Sequence, residues 1–195
     1  MKWPPAKERI GHFEPVLITV AGNLTGIDVG YRKMYLTAIL PPSNIRRIVY
    51  EYQLSLFHLN AHPAAMALPP HLPLAFYNSP PDAPEPIVQQ HSFESRGCLE
   101  NPPWLLLKIM PKAEIDRLLS LLPDTHTTAW YPTGVGIPLN MTGTDPGPAA
   151  ENVPDIRWKS SHLVCMELNA DDPGRWWEYV TYTTIWRVKL KRRID

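Results

Sequence analysis

The stretch "YRKMYLTAIL" alternates, with Met34, Leu36, Ala38 and Leu40 on one side and Lys33, Tyr35 and Thr37 on the other. A period of two predicts a strand. After "PPSN", the chain from Ile48 to Leu56 repeats the pattern: Ile48, Tyr50, Tyr52, Leu54 and Leu56 oppose Val49, Glu51, Gln53 and Ser55. A helical register behind Ser43 also fits, through Ile45, Ile48, Val49, Tyr52, Leu56 and Leu59. The aromatic and β-branched content favours the strand. An earlier strand is predicted over Pro15–Val20.

Further along, "WLLLKIM" reads as a buried strand, and "PKAEIDRLLSLL" as a helix over about 112–122. Proline is tolerated at that helix's start, Pro123 stops it, and Ile115, Leu118, Leu119 and Leu122 form its apolar stripe. "WKSSHLVCMEL" and the closing stretch flank the turn-formers "NADDPG", which predicts a terminal hairpin. Two long irregular segments remain, a proline-rich loop over 61–88 and a Pro/Gly-rich loop over 131–154. With strands dominating, the expected fold is mainly β. It is a single-domain antiparallel β-sandwich or partly open barrel over 1–195, with one or two short helices. No internal repeat is visible.

The closing stretch "RWWEYVTYTTIWRVKLKRRID" concentrates aromatics and cations. Strict alternation places Val180, Tyr182, Trp186, Val188 and Leu190 on one face. Thr181, Thr183, Arg187, Lys189 and Lys191 then share the other, with Ile185 as the apolar intruder. On that parity Tyr182 and Trp186 lie opposite the cations, which argues against a continuous base-stacking platform. Arg187, Lys189, Lys191, Arg192 and Arg193 form a candidate patch for an anionic surface, either RNA or a membrane.

Composition changes this picture little. The chain has 195 residues, 44% of them hydrophobic and 19% charged, with a net charge of zero, so only local charge can argue for an anionic partner. Its 23 prolines work against long helices. Two cysteines, Cys98 and Cys165, are too few for a structural zinc site of Cys₄ or Cys₃His type. The N-terminal residues do not read as a signal peptide, and no apolar run approaches the ~18 residues that cross a bilayer. The expected location is cytoplasmic, peripheral at a membrane if the cationic patch binds one.

Candidate chemistry is sparse. His58 and His62 are spaced i, i+4, with His71 beyond, but on a strand the first two lie ~13 Å apart, and no metal is expected. Cys98 has Arg96 and His91 nearby in sequence, which makes it the candidate nucleophile of an enzyme reading. The glycine clusters at Gly134–Gly136 and Gly143–Gly147 match no phosphate-binding loop. The acidic pairs Asp171–Asp172 and Asp82–Glu85 sit in turn or proline-rich contexts, and no cofactor is expected. The proline-rich loop offers Leu72, Leu74, Phe76 and Tyr77 as a protein-interaction surface, and PxxP at Pro70–Pro73 and Pro81–Pro84 without flanking cations.

The reading these features favour is a non-enzymatic assembly or adaptor protein. It self-associates or binds another protein through that loop, and touches an anionic surface through the cationic strand. Matrix- or coat-like viral structural proteins share such a layout, by analogy of architecture alone. Two alternatives stand beside it. One is a small enzyme with a loop-built cleft, using Cys98 or a histidine as its reactive group. The other is an RNA-binding module.

Overall fold

A computed structural model of the chain describes residues 32–58, 63–84, 90–101, 104–123, 131–141, 153–160, 162–170 and 180–191. The elements in chain order are β1 (Arg32–Leu40), α1 (Ser43–His58), a 3₁₀ turn (Pro63–Met66), β2 (Leu72–Tyr77), β3 (Ser92–Asn101) and β4 (Trp104–Met110). They continue with α2 (Lys112–Leu119), β5 (Gly136–Met141), β6 (Arg157–Lys159), β7 (His162–Ala170) and β8 (Thr181–Lys189). The strands form two four-stranded sheets, ordered β2-β1-β7-β8 and β5-β4-β3-β6, in which every pairing is antiparallel. The fold is therefore mainly β, with two helices among the described residues. The strand expected over Pro15–Val20 lies outside them.

The region Ser43–His58 is helical, which corrects the strand expected from Ile48 to Leu56. Its buried residues, Ile45, Val49, Gln53 and Leu56, recur every three or four positions. Ile48, an inward residue of the strand register, is exposed. The tyrosines and β-branched residues favour a strand only as a propensity, and tertiary burial of a helical stripe outweighs that. The second helix meets its expectation more closely. Ile115 and Leu118 are buried, and Lys112–Asp116 and Arg117–Glu114 ion pairs line its exposed side. It ends at Leu119, where Ser120 Oγ bonds Arg117 O, and Leu121 is left exposed.

Both faces of β1 are buried: Leu36 and Ala38 on one, Tyr35, Thr37 and Ile39 on the other. The strand sits between β2 and β7, and α1 packs into the core on the Tyr35 side together with Ile39. Leu36 and Ala38 instead join Val164, Met166 and Leu168 of β7 and Trp104 and Leu106 of β4.

The two sheets are built alike. In each, a central strand is followed by a helix and then by an edge strand that pairs back onto it: β1–α1–β2 and β4–α2–β5. The corresponding segments read "HLPLAF" from His71, one residue before β2, and "GIPLNM" from Gly136, the first residue of β5. Each slips register at the same place. Thr37 pairs with Ala75 and Ala38 with Pro73, passing over Leu74; Leu105 pairs with Asn140 and Leu106 with Pro138, passing over Leu139. This correspondence escapes a search for repeats because it preserves a bulge and a proline while the surrounding side chains differ. The helices cross over, with α1 packing on β5 and α2 on β2.

Proline is confined to sheet edges because it cannot donate to a ladder, and Pro73 and Pro138 both lie on edges. The edge strands meet at the junction of the sheets, where Gly134 N–H bonds Pro73 O at 2.8 Å and the Gln53 amide bonds Pro138 O at 2.7 Å. Gly136 lies hard against the neighbouring strand, so that a Cβ there would stand 2.4 Å from the Leu107 carbonyl oxygen. Gly97, at φ +73°, has open space around it. Gly136→Ala is expected to lose about 2–3 kcal/mol through forced backbone displacement, and Gly97→Ala about 1–2 kcal/mol from the left-handed conformation alone. Denaturant midpoints of the two variants check the order, and the reverse order contradicts it.

Candidate functional site

A one-residue bulge in β8 decides what its outer surface can do. Cys165 pairs with Trp186, but Met166 pairs with Thr184, so Ile185 is passed over and the alternation inverts. Tyr182 then stands across from Leu168, Thr184 from Met166, Arg187 from Val164 and Lys189 from His162. Paired residues share a face, so Tyr182, Thr184, Arg187 and Lys189 all lie on the Leu36 side. Trp186 and Val188 go to the other side. There Trp186 Nε1–H donates to Pro81 O at 2.8 Å and pins part of the proline-rich segment to the sheet. The expected separation of Tyr182 from the cations is thereby corrected. Strict alternation fails because a bulge inserts one residue and resets parity.

His162, on β7, completes this surface. Arg187 Nη2 donates to His162 Nδ1 at 3.2 Å, and since arginine only donates, the imidazole keeps its proton on Nε2. Burial lowers the His162 pKa, and Arg187 and Lys189 lower it further, so the ring is neutral at pH 7. Glu167, the carboxylate of β7, pairs with Lys33 at 3.2 Å on the Tyr35 side, where Asn169 and Lys33 help hold it ionised. Arg187 and Lys189 are exposed, and Tyr182 is 46% exposed. Lys191 is exposed beyond the end of β8, and its carbonyl accepts from Gln90 N–H. Arg192 and Arg193 lie outside the described residues.

Other expected sites fall elsewhere. Leu72, Leu74, Phe76 and Tyr77 are no loop surface: they form β2 and are at most 7% exposed. The prolines of segment 61–88 suggest irregular chain, yet an edge strand accepts them. Part of the expected 131–154 loop is likewise strand β5. Cys98 and Cys165 are both free thiols. Burial pushes the Cys98 thiol up, its neighbour Tyr52 rises to about 12, and Cys165 rises to about 11. An activated thiolate needs the opposite shift. His58 is exposed at the end of α1, and no cluster of metal-ligating side chains occurs among the described residues. His62, Glu85, Asp171, Asp172 and the Gly143–Gly147 cluster lie outside them.

His71 immediately precedes β2 at the sheet junction, in the place that Gly136 takes in β5. It is 2% exposed. Nδ1–H donates to Pro69 O at 2.7 Å, so Nε2 accepts from the Tyr131 hydroxyl at 3.1 Å. The two rings stack at 5.8 Å, and Tyr131 turns its edges to Phe76 and Trp104. Both imidazole nitrogens are engaged and burial pulls the pKa down to about 4, so this histidine is a neutral core residue. No local pattern points to its partner, which stands 60 residues away.

No family model matches the chain, and no curated protein matches it. Solved structures do. Escherichia coli LigT in apo form is 15% identical, with a TM-score of 0.58 over 83% of this chain and 99% of that one. LigT complexed with 3'-AMP is 17% identical with a TM-score of 0.56 over the same shares, and LigT has also been crystallised with NADP+ and with phosphate. TT0787 of Thermus thermophilus is 16% identical, with a TM-score of 0.51 over 83% of this chain and all of that one. The shared feature is the fold. It overturns the reading as a viral matrix- or coat-like assembly or adaptor protein, because the fold is that of a protein crystallised with nucleotides. Nor is any described helix long and apolar enough to cross a membrane.

The buried neutral His71 makes stability depend on pH. Its pKa falls from 6.5 to about 4 on folding, so its contribution is complete above pH 6.5 and is lost as pH falls toward 4, when only the unfolded chain takes up the proton. Between pH 7 and pH 5 this amounts to about 2 kcal/mol. Urea unfolding at the two pH values should show that difference between the native chain and His71→Gln. Equal slopes would assign the dependence to other groups.

Proposed function

We propose that this protein binds phosphate esters of nucleotides or of an RNA chain on the Leu36 side of its β2-β1-β7-β8 sheet. Arg187 and Lys189 are the phosphate ligands, and His162 stands across from Lys189 and accepts from Arg187. The observation that carries this reading is the β8 bulge, which gathers two cations and a neutral imidazole on one face. The likeness to LigT, crystallised with 3'-AMP, NADP+ and phosphate, supports the same class of ligand.

The chemistry fits a phosphate. Arg187 offers a planar set of N–H donors and Lys189 a point charge. His162 holds its proton on Nε2, so it can donate to an anionic oxygen without first being protonated. His162, which the sequence reading does not single out, is the group whose setting suits phosphoester chemistry. Cys98 lacks a thiolate at neutral pH, and His71 has both nitrogens occupied. Turnover of a bound phosphoester on this face would therefore draw on His162 Nε2–H as a hydrogen-bond donor to the charge that develops on the phosphoryl oxygens.

Titration calorimetry with 3'-AMP and with inorganic phosphate tests the reading. Binding of both is expected, falling roughly a hundredfold or more in Arg187→Ala/Lys189→Ala, since each charge-assisted bond contributes about 1.5–3 kcal/mol. His162→Gln should lose any release of phosphate from 3'-AMP while keeping affinity within a few-fold. Absence of binding, or binding unchanged in the double variant, rules the site out.

A further inference from the structure

The face that carries Arg187 and Lys189 is longer than one phosphate requires. Tyr182, Thr184, Arg187 and Lys189 follow one another along β8, each across from its partner on β7: Leu168, Met166 and Val164, which are buried, and His162. At ~3.3 Å per residue, and discounting the bulged position, Tyr182 stands about 13 Å from Arg187 and about 20 Å from Lys189. A mononucleotide with its base on Tyr182 does not reach Lys189. Tyr182 is nearly half exposed on an edge strand.

Building on the phosphate-binding reading, we infer that this face is a track for a single-stranded polynucleotide. A base stacks on Tyr182, and successive phosphates follow along β8 to Arg187 with His162 and then to Lys189. Stacking on an exposed ring needs an unpaired base, which a duplex does not offer. One row of cations also matches one backbone rather than two. Every base has a π-face, and stacking and phosphate contacts carry no base identity, so the track tolerates sequence.

The full chain is titrated with fluorescein-labelled octaadenylate as RNA and as DNA, with a self-complementary duplex, with 3'-AMP, and with vesicles of phosphatidylserine. The octamer is expected to bind at least about tenfold more tightly than 3'-AMP, with both sugars accepted. Tyr182→Ala should remove most of that gain and leave 3'-AMP binding as it was, whereas Tyr182→Phe should keep it. Arg187→Ala/Lys189→Ala should weaken both ligands and lower the salt slope of octamer binding by about 1.4. Circular dichroism of each variant checks that it is folded.

If 3'-AMP binds but the octamer binds no better, or if Tyr182→Ala changes nothing, the track is refuted and the phosphate site stands. Equal binding of duplex, or binding of vesicles without the octamer, also refutes the track. If phosphate, 3'-AMP and octamer all fail to bind, the underlying phosphate reading falls with it.

Discussion

Two edge strands meet at the centre of this molecule, and each carries a proline that cannot donate a hydrogen bond. The junction between the sheets therefore cannot close as an ordinary ladder, and other groups must satisfy the carbonyls there. Gln53 does most of this. It is 2% exposed on α1, and its amide donates to Pro138 O at 2.7 Å and to Ala65 O at 3.3 Å. The two carbonyls fix the orientation of the side chain, because a flipped amide would turn its oxygen toward them. Leaving such an acceptor unpaired costs about 1–3 kcal/mol. One side chain thus ties the first helix, the 3₁₀ turn and the strand of the opposite sheet.

The same junction accounts for what the middle of the molecule can and cannot do. Just before β2 the chain offers an imidazole, but Tyr131 caps it, and Phe76 and Trp104 pack on the tyrosine in turn. At the start of β5 it offers a glycine with no room for a side chain. The centre is packed as core, and the cationic face proposed for phosphate lies away from it on β8. A local irregularity of one residue provides it, because the bulge turns Tyr182 and the cations onto one surface that regular alternation would have divided.

Much of the architecture was legible. Alternation marked β1, the continuous apolar run marked β4, the proline-bounded stripe marked α2, and the turn-formers marked the β7–β8 pairing. The failures have separate causes. Ser43–His58 satisfied two periods at once, and only the partner surface chose between them. Prolines concealed β2 and β5, since proline reads as a loop former unless the strand is known to lie on an edge. The cations Arg187, Lys189 and Lys191 were visible as a group, but His162 was not, because it joins them only through the β7–β8 register.

By itself, the sequence determined that this chain folds as a β-rich protein with few helices and a cationic, aromatic closing strand, because those properties follow from local periodicity and composition. Tertiary structure alone decided which face of that strand each side chain occupies, that His71 is a neutral core residue, and that two unlike segments play equivalent parts in two sheets. Each of these depends on pairings between residues far apart in the chain. Such pairings are fixed by burial and hydrogen-bond closure across the whole fold, and no stretch of sequence carries them alone.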